Sequence, residues 1–217
     1  MQVTVEQIVQ WIKNIDEKMN QHKTYLTSLD RPIGDGDHGM NMATGFHVAA
    51  LVISNRSFQT VADVLKTCAT TVVSNVGGAA GPLYGTAFLR MALFLKGNEQ
   101  VSVSAFIDAL EEALRGIKKR GQTDVGEKTM IDVWQPVVLY LKEEQNLESD
   151  FTTIGKEAME KTKHIEAAKG RASYFKDDSI GYIDPGAASS YLLFEALAEV
   201  WSGGEKSEWS RDCINFS

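Results

Sequence analysis

The stretch Asp30-Arg31-Pro32-Ile33-Gly34-Asp35-Gly36-Asp37-His38-Gly39-Met40-Asn41 packs three carboxylates, three glycines and a histidine between two apolar-periodic segments. Pro32 and the glycines oppose a continuous helix, so the expectation is a tight loop from which Asp30, Asp35 and Asp37 converge. Hard oxygen ligands meeting at one point suit Mg²⁺, which is usually shared between a few carboxylates and substrate phosphates. A calcium EF-hand is excluded by position. Counted from Asp35, the sixth place holds Met40 instead of glycine and the twelfth holds Phe46 instead of glutamate.

Outward from this loop the apolar residues repeat at helical spacing. Residues 4–25 carry Ile8, Ile12, Ile15 and Met19 on one face, and 39–53 form a second helix that starts at His38-Gly39. Residues 58–74, with Val61, Leu65, Cys68 and Val72 in register, lead into a glycine-rich turn at 75–82 and an apolar helix over 83–95. Pro82 suits a first helical turn, where a missing N–H costs nothing. Helices follow over 102–119, over 129–144 with a kink expected at Pro136, and over 151–168. Asp184-Pro185-Gly186 opens the last helix, 185–202, with aspartate as N-cap and proline in the first turn. No convincing strand, repeat or interdomain linker emerges. The chain reads as one all-α domain over 1–203, with 204–217 a frayed tail rich in glycine, serine and charge.

If consecutive helices pack antiparallel, the connections after the first, third, fifth and seventh lie at one end of the bundle. Those connections are the aspartate loop, the turn at 77–81, the turn at 121–128 and the long segment 169–184. The other connections are short and chemically dull. Three of the four loops feed a helix N-terminus, where free N–H groups and the helix dipole favour anions, and glycines let amides approach a phosphate closely. A polyphosphate held by glycine loops and helix N-termini, with Mg²⁺ clamped by aspartates, is the combined expectation. There is no Walker loop and no GxGxxG after a strand, so a nucleotide would bind in an unusual helical site.

The bulk properties narrow the partners. With 217 residues and a net charge of −7, the chain is long enough for a substantial core and poorly suited to nucleic acid or an anionic membrane. Cys68 and Cys213 are far apart and read as free thiols. No signal peptide and no run of about 18 apolar residues is present, so a soluble, cytoplasmic protein is expected. His22, His47 and His164 read as structural or solvent-facing.

The strings LDRPIGDGDHGMNMATGF, SNVGGAAGPLYGTAF, RGQTDVGEKTMIDVWQPV, KGRASY and IGYIDPGAASS together resemble, in order, the motifs of the nucleotide-binding L subunit of dihydroxyacetone kinase, from about residue 5 to 200. The resemblance implies an antiparallel up-down barrel of eight helices with the nucleotide at one end. It implies that Asp30, Asp35 and Asp37 bind two Mg²⁺ ions, and that His38, Gly39, Met40 and Asn41 line the phosphate side with backbone amides of Ala79 and Ala80. Gly121 and Met130 would border the adenine, while Arg171 and Asp184, Pro185 and Gly186 close over the nucleotide. The chain departs from the family pattern at Ala80, where serine is common, and at Gly36, where alanine is common.

In such kinases catalysis is mainly positioning and electrostatics, so no catalytic side chain is assigned beyond the metal and phosphate ligands. The cofactor implied is ADP cycling with ATP. The partners implied are a separate sugar-binding subunit that holds dihydroxyacetone and a phosphohistidine carrier protein of the phosphotransferase system. Two other readings stand beside this one: an ATP-exchanging kinase subunit for dihydroxyacetone or a related ketose such as erythrulose, and a nucleotide-loaded regulatory binding module.

Overall fold

Seven of the eight periodic segments form single α-helices and the first forms two, in a computed structural model that describes residues 2–201. The helices are α1 Val5–Gln21, α2 Lys23–Asp30, α3 His38–Ser54, α4 Val61–Asn75, α5 Ala80–Phe94, α6 Val103–Gly121, α7 Ile131–Glu144, α8 Phe151–Lys161 and α9 Pro185–Trp201. The tail 204–217, with Cys213, lies outside the described residues. Among those described, no helix is long and apolar enough to cross a membrane.

Four features differ from the sequence expectation. The first helix is interrupted at His22 (φ −99°, ψ 11°) and then continues to Asp30, since His22 still donates its N–H to Lys18 and accepts from Leu26. Asp30 is therefore the last residue of α2, and only Asp35 and Asp37 belong to the loop proper. The seventh segment ends at Lys161 in place of 168. There the Thr162 hydroxyl bonds back to the Met159 carbonyl at 2.6 Å and the chain passes through a 3₁₀ turn to extended backbone at Ile165. The helix expected over 83–95 is α5 and begins earlier, at Ala80, so Pro82 sits inside its first turn. Finally, two strands exist: β1 Gln2–Val3 pairs antiparallel with β2 Val101–Ser102. Two residues each are too few for an alternating pattern to register in sequence. Pro136 lies within α7, which is continuous from Ile131 to Glu144.

Each helix from α3 onward packs on the next in chain order, and α9 returns to α1, which itself packs on α3. The interior is aromatic. Trp11 meets Phe88 and Phe106 with ring centroids 5.5 and 5.9 Å apart, and Trp134 meets Phe194 at 4.9 Å. Each fully buried apolar side chain of this size stabilises the fold by roughly 1.5–3 kcal/mol. Every residue of α9 from Ala187 to Leu197 is buried, with α1, α2, α3, α7 and α8 around it. The α1–α9 contact carries polar ties as well as apolar ones. Lys18 donates to Glu195 and Glu199 at 2.6 and 2.8 Å, and the Trp11 indole donates to the Leu193 carbonyl at 3.0 Å. These bonds fix the height of α9, and therefore the position of its first turn at the opposite end.

Candidate functional site

A cavity of about 510 Å³ opens at one end of the molecule, and all four chemically dense loops line it. The C-terminal ends of α2 and α6 reach it, and so do the N-terminal ends of α3, α5, α7 and α9. This is the alternation expected of helices that pack antiparallel. A cavity of this size suits a small organic ligand.

One wall is acidic. Single carboxylate oxygens of Asp30, Asp35 and Asp37 lie within 4.8 Å of one another. Asp30 is buried, and its Oδ2 accepts the backbone N–H groups of Asp37 and His38 at 2.9 and 3.1 Å. Asp35 pairs with the Arg171 guanidinium at 2.8 Å. Three converging hard oxygens, one of them anchored by backbone, fit a divalent cation such as Mg²⁺. Gly34 is required here, because a Cβ on it would stand 1.9 Å from Asp30 Oδ1.

The facing wall is made of backbone. Gly78 adopts φ +64°, and Gly81 approaches so closely that a Cβ would lie 2.1 Å from the Val76 carbonyl oxygen. Side-chain capping is complete at the far end and partial at the cavity end, where Asp184 caps α9. Helices that start at the far end are capped by side chains: Thr4 on α1, Thr60 on α4, Ser102 on α6 and Asp150 on α8. By contrast α3 and α5, which start at the cavity, follow Asp37 and Ala79, neither of which caps through its side chain. The His38 amide of α3 goes to Asp30 Oδ2, while the next amides of α3 and the first amides of α5 are left for another acceptor, the arrangement that binds anions.

The floor is a buried polar network. His38 Nε2 lies 2.9 Å from the Ser189 hydroxyl, which lies 2.7 Å from the Tyr84 hydroxyl. Tyr84 also meets the Ser190 hydroxyl at 2.8 Å, and Ser190 accepts the Trp134 indole N–H at 3.1 Å. Burial holds the His38 imidazole below its ordinary pKa, against the pull of Asp30 and Asp37. Burial likewise raises the Tyr84 hydroxyl, which stays a neutral donor.

Asp184 caps α9 by accepting the Ala187 N–H at 2.7 Å, and its own N–H donates to the Thr162 hydroxyl at 3.0 Å. Burial pushes its carboxyl up to about 7, against the Ala187 bond and with a further push from Asp132. An acid whose folded pKa is raised contributes stability that is complete below the unfolded pKa, near 3.8, and is lost as pH rises toward 7. Asp184→Asn keeps a neutral cap and removes the titration. Urea midpoints in EDTA should therefore shift in favour of the variant between pH 4 and pH 7.5. Parallel wild-type and variant curves would contradict the assignment.

A family model described as the DAK2 domain matches residues 32–199 of this chain. The chain belongs to the DAK2-domain family. The ADP-binding subunit DhaL of PEP-dependent dihydroxyacetone kinase 1 from Listeria innocua is 45% identical over 192 residues, covering 88% of this chain and 94% of that protein. The ADP-binding subunit DhaL of the PTS-dependent dihydroxyacetone kinase from Lactococcus lactis is 42% identical over 202 residues, covering 91% and 98%. Among solved structures, the dihydroxyacetone kinase of C. freundii in complex with AMP-PNP and Mg²⁺ shares the fold. Its TM-score is 0.75 at 22% identity, covering 92% of this chain and 34% of the other, so this chain spans about a third of that kinase.

Within this DAK2 domain the cavity walls include Asp30, Asp35, Asp37, His38, Asn41, Ala79, Ala80, Gly121, Met130, Arg171, Asp184, Pro185 and Gly186. Gly39 and Met40 are not among the lining residues: Gly39 backs onto α2 and Met40 is exposed. Residues that the sequence did not single out complete the site. Tyr84 read as one more apolar-helix residue, and Ser189 as helix interior. Lys128 ends the turn at 121–128; it is buried and lines the cavity. Asp132 organises that turn by accepting the N–H groups of Gly126 and Thr129, both at 2.6 Å. The remaining histidines stay apart from the cavity walls. His47 pairs with Asp16 at 3.2 Å, and His164 lies exposed in the 3₁₀ turn after α8.

Proposed function

We propose that this chain is the ADP-binding subunit of a dihydroxyacetone kinase. It takes a phosphoryl group onto bound ADP from a phosphohistidine carrier protein of the phosphotransferase system and passes it to dihydroxyacetone held by a separate sugar-binding subunit. The observation that carries this reading is the three-aspartate cluster lining one cavity with the start of α3 and with the N-terminus of α5, which its N-cap residue Ala79 does not cap through a side chain. Its support from relatives is that proteins matched over nearly their whole length bear the name of such a subunit.

In this reading Asp30, Asp35 and Asp37 hold two Mg²⁺ ions, which neutralise charge on the phosphates when bound. Asn41, His38, the α3 amides that follow His38 and the first amides of α5 bind and orient the phosphate oxygens. Ser189 and Tyr84 fix the His38 ring from below. Gly121 and Met130 flank the base, and Arg171 with the Asp184–Pro185–Gly186 turn closes the opening. The protein acts by holding the donor in place and excluding water. Capture of the sugar falls to the partner subunit, so turnover requires that subunit, and the exchange takes place in the cytoplasm.

The finer architecture belongs to the same proposal. A single domain over 1–203 forms an eight-helix antiparallel barrel, with α1 and α2 as one interrupted stave. The support is packing in chain order with α9 returned to α1.

The test is to purify the protein without added nucleotide, denature it and identify what is released by chromatography and mass. Stoichiometric ADP is expected. An empty site that takes up and exchanges Mg-ATP would replace the phosphoprotein donor with free ATP. Failure to bind either nucleotide would overturn the reading.

A further inference from the structure

Lys128 carries two costs that the site as described leaves without a return. Its side chain is buried, with only 1% of the residue exposed, which desolvates an ammonium. Its backbone sits at φ +58°, a region that strains any residue with a Cβ. Costs of this kind persist where the surrounding structure needs the side chain in one place.

The place is defined by two bonds. The Lys128 ammonium donates to the Thr162 carbonyl and to the Tyr182 carbonyl, each at 2.6 Å. These carbonyls are the two roots of the segment 163–181, which leaves the end of α8 and returns to the start of α9. One ammonium therefore ties both ends of a long excursion to the turn that opens α7. The backbone adds a bond between the same roots, from the Gly181 N–H to the Lys163 carbonyl at 2.7 Å.

What hangs from these roots matters to the cavity. Lys169, Gly170, Arg171 and Ala172 of the segment line its wall. Elsewhere the segment is held lightly. It has a small apolar cluster of Ile33, Ala167 and Ala172, the exposed Arg171–Asp35 pair and one backbone bond from Ala168 to Glu127. Its middle faces solvent, with Tyr174 86% exposed. Thr162, whose carbonyl Lys128 holds, also accepts the Asp184 N–H through its hydroxyl, so the same tie reaches the cap of α9.

We propose that Lys128 is a positioning residue for nucleotide retention: it pins both roots of segment 163–181 and so keeps that segment closed over the cavity. The proposal rests on the nucleotide-binding reading and adds to it the device that makes ADP a held cofactor. Lys128 acts through the segment and not on the phosphates.

The experiment uses the full chain with Lys128→Met and Lys128→Gly. Methionine removes the charge at nearly the same length, and glycine removes the side chain while relieving the positive φ, so at least one variant folds without backbone strain. Release of a fluorescent ADP analogue in Mg²⁺ should speed up roughly tenfold or more in both, as expected for loss of charge-assisted bonds. Amide exchange should rise across 163–183 and stay unchanged in α1, α4 and α6. A release rate within twofold of wild type, or exchange that rises evenly through all helices, would overturn the proposal. If wild type binds no ADP, the functional reading fails alone, and exchange over 163–183 still decides whether Lys128 holds the segment.

Discussion

Asp30→Ala is expected to abolish phosphoryl transfer with the partner subunits present, by at least about 10²–10³-fold, the scale on which a single preorganised electrostatic contact acts. Asp30 has two tasks that coincide in one carboxylate. Its Oδ2 holds the amides of Asp37 and His38, and it belongs to the cluster of oxygens that also includes Asp35 and Asp37. Alanine removes both, leaving two amides without their acceptor at a partly buried site, at a stability cost of roughly 2–4 kcal/mol. Asp30→Asn separates the tasks, because the amide oxygen still accepts an N–H while the charge is gone. Calorimetry with Mg-ADP should show binding lost in both variants, and thermal melts should show the asparagine protein closer to wild type than the alanine one. An asparagine variant that binds Mg-ADP with wild-type affinity would make Asp30 a purely structural residue.

That double role was only half legible in sequence. The carboxylate cluster could be read from composition, since aspartates and glycines so close together have few other uses. The helical reach of α2 could not, because the apolar period fades after Met19 and the bond ladder continues past His22 on backbone alone. The one-ended placement of the loops followed from helix count and short connections, and the cavity collects all four. Other parts depended on contacts far apart in the chain. Lys128 is unremarkable among its neighbours until Thr162 and Tyr182 are brought to it. The Tyr84 hydroxyl has a role only once Ser189 and Ser190 come from a helix some hundred residues away. The end of α8 at Lys161 was missed because Ile165 falls in helical register although its backbone is extended. Local periodicity carries information about one face of one element, and these features belong to three elements at once.

Gly39→Ala should produce the second large effect, and by a different route. In sequence Gly39 sits in the run His38-Gly39-Met40-Asn41 and reads as room for a phosphate. In the fold, a Cβ on Gly39 would lie 2.1 Å from the Lys23 carbonyl oxygen and 2.8 Å from the Thr27 backbone nitrogen, on the side of α2. Backbone cannot yield as a side-chain tip can, so one methyl must push α2 and α3 apart. Overpacking of this kind costs typically 1–3 kcal/mol and more where backbone must move. The displacement falls between Asp30 at the end of α2 and Asp37 at the start of α3, so Mg-ADP affinity should drop together with stability. Gly78→Ala provides the contrast: its φ of +64° is strained for alanine, but a Cβ there meets nothing within 4 Å. It should cost about 1 kcal/mol of backbone strain. Denaturant midpoints and Mg-ADP titrations on the two variants check this. If Gly39→Ala melts like wild type and binds normally, the tight α2–α3 approach is not what aligns the aspartates, and the loop alone must hold them.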